Sequence, residues 1–352
     1  MRLRSGLAAF LLCLVIAPAS AQEAYVVNQG DGTVSVLAGD GNSPIATIAV
    51  GSAPGAIAIT PDGSRLYVGN LGDNTISVID PGKRAVVTTL HLNSAPTALV
   101  ISPDGTRLFA ADRGLGVVTV LALPDHAVLG TLRPGTAPTA LAVTPDGKWL
   151  YVANAGDKTL AVIKTADLSL AKTIEVGTAP AAVAIAPDGK TVYVAVSGDD
   201  RIVLVDTADN HAIGAMTSGD RPSSFAIDAV AGLLYCADAG DGTVQAISMA
   251  DRKVVATIAV GHDSAAVAIT PHGSFVYAVN RGDQTVSVIA TADNKVRATV
   301  PVGVRPISAV AGLSPPDAAH SLAEWFAVLL FAGGMAYVAL DRLGRSRKRA
   351  GR

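Results

Sequence analysis

Residues able to do chemistry are sparse in this chain, and their spacing says more than their number. Aspartates stand at 31, 73, 157, 199, 241 and 283, each following a glycine and each offset by 42 residues or a multiple of 42. Six carboxylates in one register could suggest calcium. A calcium ion needs several oxygens converging on it, and one aspartate per repeat spreads them apart. Each is read instead as a turn residue: its carboxylate accepts backbone N–H bonds in its own turn, and the glycine takes positive φ. No metal and no cofactor is expected.

A second set departs from the repeat. Four lead-in segments ending at Pro54, Pro96, Pro138 and Pro180 read GSAP, NSAP, GTAP and GTAP. The next three become Gly219-Asp220-Arg221-Pro222, Gly261-His262-Asp263-Ser264 and Gly303-Val304-Arg305-Pro306. Folding alone would allow the common form, so the departures are informative. Asp220, Arg221, His262, Asp263 and Arg305 are therefore the candidate contacts for a ligand or partner, with Arg113 and Arg281 expected on the same face. Solvated loop tips are the competing reading, because loop sequences vary freely. Catalytic arrangements are scarce. GxSxG, HExxH, a Walker loop and a GxGxxG opening a helix are all missing. The six histidines, at 91, 126, 211, 262, 272 and 320, lack ligand spacing. His262 with Asp263 is the one acid–base pair on offer, and no catalytic residue is assigned.

The elements that position these residues recur every 42 positions. The lead aromatic falls at Tyr25, Tyr67, Phe109, Tyr151, Tyr193, Tyr235 and Tyr277 without a break in register. A period of this size points to solenoids, propellers or arrays. One unit, residues 67–108, predicts four strands: 67–70, 75–80, 85–92 and 97–102. They are rich in β-branched residues and are separated by Gly, Pro, Asn and Asp. Pro-Asp-Gly turns at Pro61, Pro103, Pro145 and Pro187 are structural by the same logic. Segments such as Ala56-Ile57-Ala58-Ile59 and Ala182-Val183-Ala184-Ile185 are small, as strands converging on an axis require.

Half of the 352 residues are apolar, ample for a large core. Residues 22–340 carry 19 basic and 28 acidic groups, which argues against nucleic acid as a partner. Aromatics at 4% leave no stacking platform for bases. Two cysteines, Cys13 and Cys236, build no disulfide framework, and without CxxCH there is no covalent haem. Cys236 reads as a small buried hydrophobe.

The two ends carry addresses. Arg2 and Arg4, an apolar run from Leu7 to Ile16, and Ala19-Ser20-Ala21 read as a signal peptide over residues 1–21. Residues 322–340 form a second apolar run of the length that crosses a bilayer as a helix. A basic tail, 341–352, follows and is expected in the cytoplasm. Residues 314–321 read as a stiff spacer. The expectation is a repeat domain over 22–313 on the periplasmic side of a bacterial inner membrane. A cleaved sorting signal, with release or surface display, is the alternative.

The repeat then becomes specific. Its tetrads read YVVN, YVGN, FAAD, YVAN, YVAV, YCAD and YAVN. Each is followed by a Gly-Asp-x-Thr-like turn, a VxVID-like strand, a VG-x-x-P link and a PDG turn. This resembles the YVTN family of β-propeller repeats, found in secreted and surface-layer bacterial and archaeal proteins, over residues 25 to about 313. The resemblance implies an all-β, seven-bladed propeller of four-stranded antiparallel blades. The first copy lacks a preceding innermost strand and the last ends in an unpaired one near 306–311. That strand must join residues 25–50 in one shared blade, leaving no open edge. A membrane-anchored, non-enzymatic module binding a protein or small molecule is the expected function. The alternative is an enzyme or redox accessory. Propellers related to this family include lactonases, lyases and the d1-haem domain of nitrite reductase, and some relatives resemble accessories of quinone-dependent alcohol oxidation.

Overall fold

A computed structural model describes residues 22–39 and 43–313. They form 28 strands in seven antiparallel four-stranded sheets. The chain within 22–313 is thus a seven-bladed β-propeller. Blade one joins the first three strands, within 22–49, to the last, Pro306–Leu313. Blades two to seven follow as residues 54–91, 98–132, 138–175, 180–217, 222–259 and 264–301. The expected closure is present: Gln22–Asn28 pairs antiparallel with Pro306–Leu313, with Tyr25 opposite Val310 and Val26 opposite Ala309. The closing strand runs two residues past Ala311.

Each blade is organised by burial. In blade four the second strand, Trp149–Asn154, and the third, Thr159–Lys164, are buried along almost their whole length. The outermost strand, Leu170–Glu175, is exposed except at Ile174. Middle strands therefore read as continuous apolar runs, because neighbouring blades cover both faces. One apolar cluster fills each of the seven seams. Tyr151 of blade four packs with Val192 and Val194 of blade five, and Tyr277 of blade seven with Val26 and Leu37 of blade one. A buried side chain of this size contributes about 2 kcal/mol, so the seams carry the stability. No blade has a core of its own, as expected for repeats that are stable only together.

The connections divide between two faces. Turns between innermost and second strands, including the Pro-Asp-Gly turns, lie on one face. The lead-in loops and the Gly-Asp turns lie on the other. Among the described residues no helix is long and apolar enough to cross a membrane. The signal peptide, spacer, membrane helix and basic tail expected from the sequence lie outside the described residues.

Candidate functional site

A repeated clasp ties the lead-in loop to the Gly-Asp turn of its own blade in six of the seven blades. In blade two, Asp73 Oδ2 accepts the Ser52 N–H at 2.9 Å. The Leu71 and Gly72 amides then donate to the carbonyls of Ala53 and Ser52, at 3.1 and 2.9 Å. The same carboxylate bond joins Asp31 to Val304, Asp157 to Thr136, Asp199 to Thr178, Asp241 to Asp220 and Asp283 to His262. This corrects the sequence reading. The turn aspartate is structural, but its backbone donor lies in the lead-in loop, 21 residues earlier in five blades and at Val304 across the ring closure for Asp31, and positive φ falls on the residue after the aspartate, such as Asn74 or Gln284, rather than on the glycine before it. These amides hold several carboxyls below the usual range. For Asp283 the His262 amide is the main cause and the His262 ring the next. For Asp199 it is the Thr178 amide.

The third residue of the lead-in loop takes left-handed φ. It is alanine at 53, 137 and 179, and then Arg221, Asp263 and Arg305, with φ between 46° and 55° throughout. The backbone costs about 1 kcal/mol for any residue with a Cβ. The clasp uses only the carbonyl of this residue, accepted from Leu71 by Ala53 and from Gln29 by Arg305 alike. The clasp itself therefore does not depend on the charged side chains at 221, 263 and 305.

Three consecutive blades, six, seven and one, bring these residues onto one arc of the face. In blade six Arg221 Nε lies 3.9 Å from Asp220 Oδ2, with both side chains more than half exposed. The Arg221 amide donates to Asp200 Oδ1 of blade five at 2.9 Å. In blade seven the guanidinium of Arg281 grips Asp263 in a fork, 2.6 Å from Nε and 3.0 Å from Nη2. His262 does not pair with Asp263, as the sequence suggested. Its Nδ1 lies 2.9 Å from Asp283 Oδ1, and the ring is 89% exposed. In blade one Arg305 is exposed beside the closing strand. Arg113 is not part of this arc. It sits in blade three, its amide bonded to Thr97 Oγ1 at 3.1 Å.

Chemically, the arc offers a carboxylate-supported imidazole, one neutralised Arg–Asp fork and two exposed guanidinium groups. Among the described residues no group of three or more His, Cys, Asp and Glu is placed to hold a metal ion. Two residues were missed by sequence reasoning. Asp283, as the partner of His262, required knowing that loop and turn are joined half a repeat apart. Asp238 stands in a position held by asparagine in four tetrads and is fully buried. The YCAD tetrad displayed the change, but not the burial.

These features define a seven-bladed β-propeller with a charged arc on its lead-in face. A family profile described as "Lactonase, 7-bladed beta-propeller" matches residues 132–253, from the end of blade three into the last strand of blade six. That match includes Asp220 and Arg221 and stops short of His262, Asp263, Arg281 and Arg305. A search of curated proteins finds no match. Among solved structures, hydrazine synthase of Kuenenia stuttgartiensis is similar at 20% identity and TM-score 0.69, over 81% of this chain and 99% of that one. A functionally unknown protein from Desulfotomaculum acetoxidans is similar at 17% and 0.70, over 81% and 99%. A putative 6-phosphogluconolactonase from Bacteroides fragilis is similar at 16% and 0.68, over 82% and 97%. At these identities the likeness is one of fold.

Proposed function

We propose that this protein is a non-enzymatic binding module of YVTN type, exported and tethered to the membrane by residues 322–340, that holds a protein or small-molecule partner on its lead-in face. One observation carries the reading. The lead-in loops are shaped by backbone bonds and by the turn aspartates, so the side chains of Arg221 and Arg305 and the outward Nε2 of His262 are left for work outside the fold. Their restriction to three adjacent blades makes one patch on an otherwise alanine-lined ring. The remaining described loops serve as rigid surroundings. Crosslinking of the intact protein in membranes, followed by identification of what is attached, tests this. Capture that survives Arg221→Ser with Arg305→Ser removes the arc from the reading.

A second reading has its own support. The lactonase-profile match and the His262–Asp283 pair suit hydrolysis of a cyclic ester, with the carboxylate orienting the ring and the exposed Nε2 taking a proton from water. Hydrolysis of a simple lactone that is lost in His262→Ala favours this reading. Turnover unchanged in His262→Ala removes the pair from it.

A further inference from the structure

The face opposite the lead-in loops is divided into two sectors. In blades two to five each turn between the innermost and second strands carries an exposed aspartate and a basic residue, from Asp62 and Arg65 in blade two to Asp188 and Lys190 in blade five. Blade six reads Ala229-Val230-Ala231-Gly232-Leu233 at this place, and blade seven Pro271-His272-Gly273-Ser274-Phe275. Neither stretch holds an acid, a lysine or an arginine. In blade one the closing strand comes to this face and ends at Leu313. Blades six, seven and one are neighbours in the ring, so the uncharged sector is continuous.

The turn does not require an apolar tip. In blade two Asp62 caps it from the tip, with Oδ1 accepting the Ser64 amide at 3.0 Å. In blade six the cap comes from beneath. Asp228 is 4% exposed, and its Oδ1 accepts the amides of Val230 and Ala231 at 3.0 and 2.9 Å. The carboxylate is thus buried under the turn, and the tip is left without charge. Val230 is held outward and is 90% exposed, more than any other large apolar side chain among the described residues. A side chain held this way forgoes the gain of burial, and such exposure marks contact surfaces when it is not scattered singly.

What covers the sector follows from where the chain leaves it. The Leu313 carbonyl lies against the turn of blade two, where a Cβ added to Gly63 would stand 2.1 Å from its oxygen. A cleft of about 200 Å³ beside it reaches from Pro61 of blade two to Pro271 of blade seven. Eight residues, 314–321, separate Leu313 from the apolar run at 322–340. Fully extended, they reach at most about 29 Å. Carrying that run to the lead-in face would mean crossing three strand spacings to the rim, about 14 Å, and then the length of a six-residue strand, about 20 Å. The path is longer than the reach. The exit face is therefore the one that a membrane-inserted 322–340 keeps near the bilayer.

We propose, resting on the membrane tether of the proposed function, that the uncharged sector of blades six, seven and one sits on the lipid bilayer, with the Val230 turn dipping among the headgroups and the lead-in arc directed away. Charged turns resist leaving water and uncharged ones do not. The ring therefore leans on blades six, seven and one and keeps the turns of blades two to five in solvent. Outer hairpins of the same sector carry Arg252 and the Asp293–Arg297 pair at 2.7 Å. They lie further from the axis and meet the headgroups as a polar rim.

The intact protein is reconstituted in vesicles of phosphatidylethanolamine and phosphatidylglycerol. A fluorophore is placed on Val230→Cys, on Asp188→Cys of the charged sector, or on Thr178→Cys of the lead-in face. Quenching by a nitroxide on the lipid headgroup is compared with quenching by iodide in the water. The label at 230 is expected to be quenched by the lipid nitroxide about threefold more than the label at 188, and the label at 178 by iodide alone. Equal lipid quenching at 230 and 188 overturns the proposal. So does a label at 230 hidden from both quenchers, which would mean that residues 314–321 or a second copy of the chain cover the sector. Ala229→Cys supplies a second position if Val230→Cys does not fold. Retention on the vesicles through an alkaline carbonate wash reads the tether separately. Retained protein with no lipid quenching at 230 sinks the docking alone, whereas protein washed off sinks the tether and the docking with it.

Discussion

The Tyr235 hydroxyl of blade six donates to Asn294 Oδ1 of blade seven at 2.8 Å. The two residues are 59 apart, and that interval recurs at other seams. Tyr151 bonds Asn210, and the Tyr67 hydroxyl lies 3.2 Å from Nε2 of His126. Blade three leads with Phe109, which has no hydroxyl, and the residue 59 further on is Leu168, packed in the same apolar cluster. The lead aromatic and the second hairpin of the next blade are therefore matched in polarity. Burial is the main cause that pushes the Tyr235 hydroxyl up to about 12, so it stays a donor across the working range. Tyr235→Phe is expected to cost about 1 kcal/mol. Phe109→Tyr should cost at least as much by burying an unpaired hydroxyl against leucine, and adding Leu168→Asn should recover part of it. Chemical denaturation of the two singles and the double checks this. Equal stability of all three would show that the seams are indifferent to the pairing.

Blade one is secured to blade two by a buried charge. Glu23 is 3% exposed, takes the Tyr25 hydroxyl at 2.5 Å and pairs with Arg84 of blade two at 2.9 Å. It lies on the strand that meets the closing strand, so one side chain serves both the ring closure and the adjoining seam. Glu23→Ala leaves a tyrosine and a half-exposed arginine without their partner, at an expected cost of about 2 kcal/mol. Deleting residues 307–312 should go further and abolish cooperative unfolding, since it exposes the paired edge of Gln22–Asn28. A sharp thermal transition in the deletion variant would mean that closure is dispensable.

The periodicity made the strands and the closure legible, because the lead aromatic recurs in all seven copies at one offset and most copies repeat the same turn residues. Tyr25 near the start and the unpaired segment after Pro306 implied their own union. The site was less legible. Arg221, His262 and Arg305 stood out as departures. Their partners did not, because Asp283 meets His262 through a loop–turn bond of half a period, and a repeat pattern gives no hint of half-period contacts. Asp112 and Asp238 looked alike in sequence. What separates them is whether two backbone amides converge on the carboxyl, which depends on the shape of the neighbouring loop.

Acid should strip stability from the opposite face. Asp62, Asp104 and Asp146 all sit in Pro-Asp-Gly turns and lie below the usual carboxylate range. Asp146 falls to about 2, chiefly through the Thr144 hydroxyl and then the Lys148 amide. A carboxyl lowered on folding stabilises the native state fully above its unfolded value near 3.8, and that contribution is lost as pH falls through about 2. Solvent screens such exposed turns, so each contributes modestly. The melting temperature should therefore fall steadily between pH 4 and 2, and Asp146→Asn should fall less over the same window. Parallel curves for wild type and variant would show that this turn does not contribute.

Blade three explains why blade two carries glycine in its tetrad. The other tetrads have valine or alanine at the third position, and this one has Gly69. Leu115 replaces the turn aspartate in blade three, so Asp112 takes over and receives Ala95 N–H, one residue later than the usual loop donor. The lead-in loop is displaced, Ala95 does not share the left-handed φ of its equivalents, and the innermost strand shortens to Ala98–Ile101. Pro96 is pushed over Gly69, where an added Cβ would lie 2.6 Å from the Pro96 carbonyl oxygen and 3.1 Å from its Cβ. Backbone cannot yield as a flexible side chain would. Gly69→Ala should therefore destabilise by about 1–3 kcal/mol, as overpacking does, although alanine is the common residue at that position elsewhere in the ring. Restoring the turn aspartate with Leu115→Asp, together with Asp112→Asn, should let the loop return to the regular clasp and relieve the clash. Equilibrium unfolding of Gly69→Ala in the two backgrounds measures the difference. An equal penalty in both would mean that the loop is not what holds Pro96 against blade two.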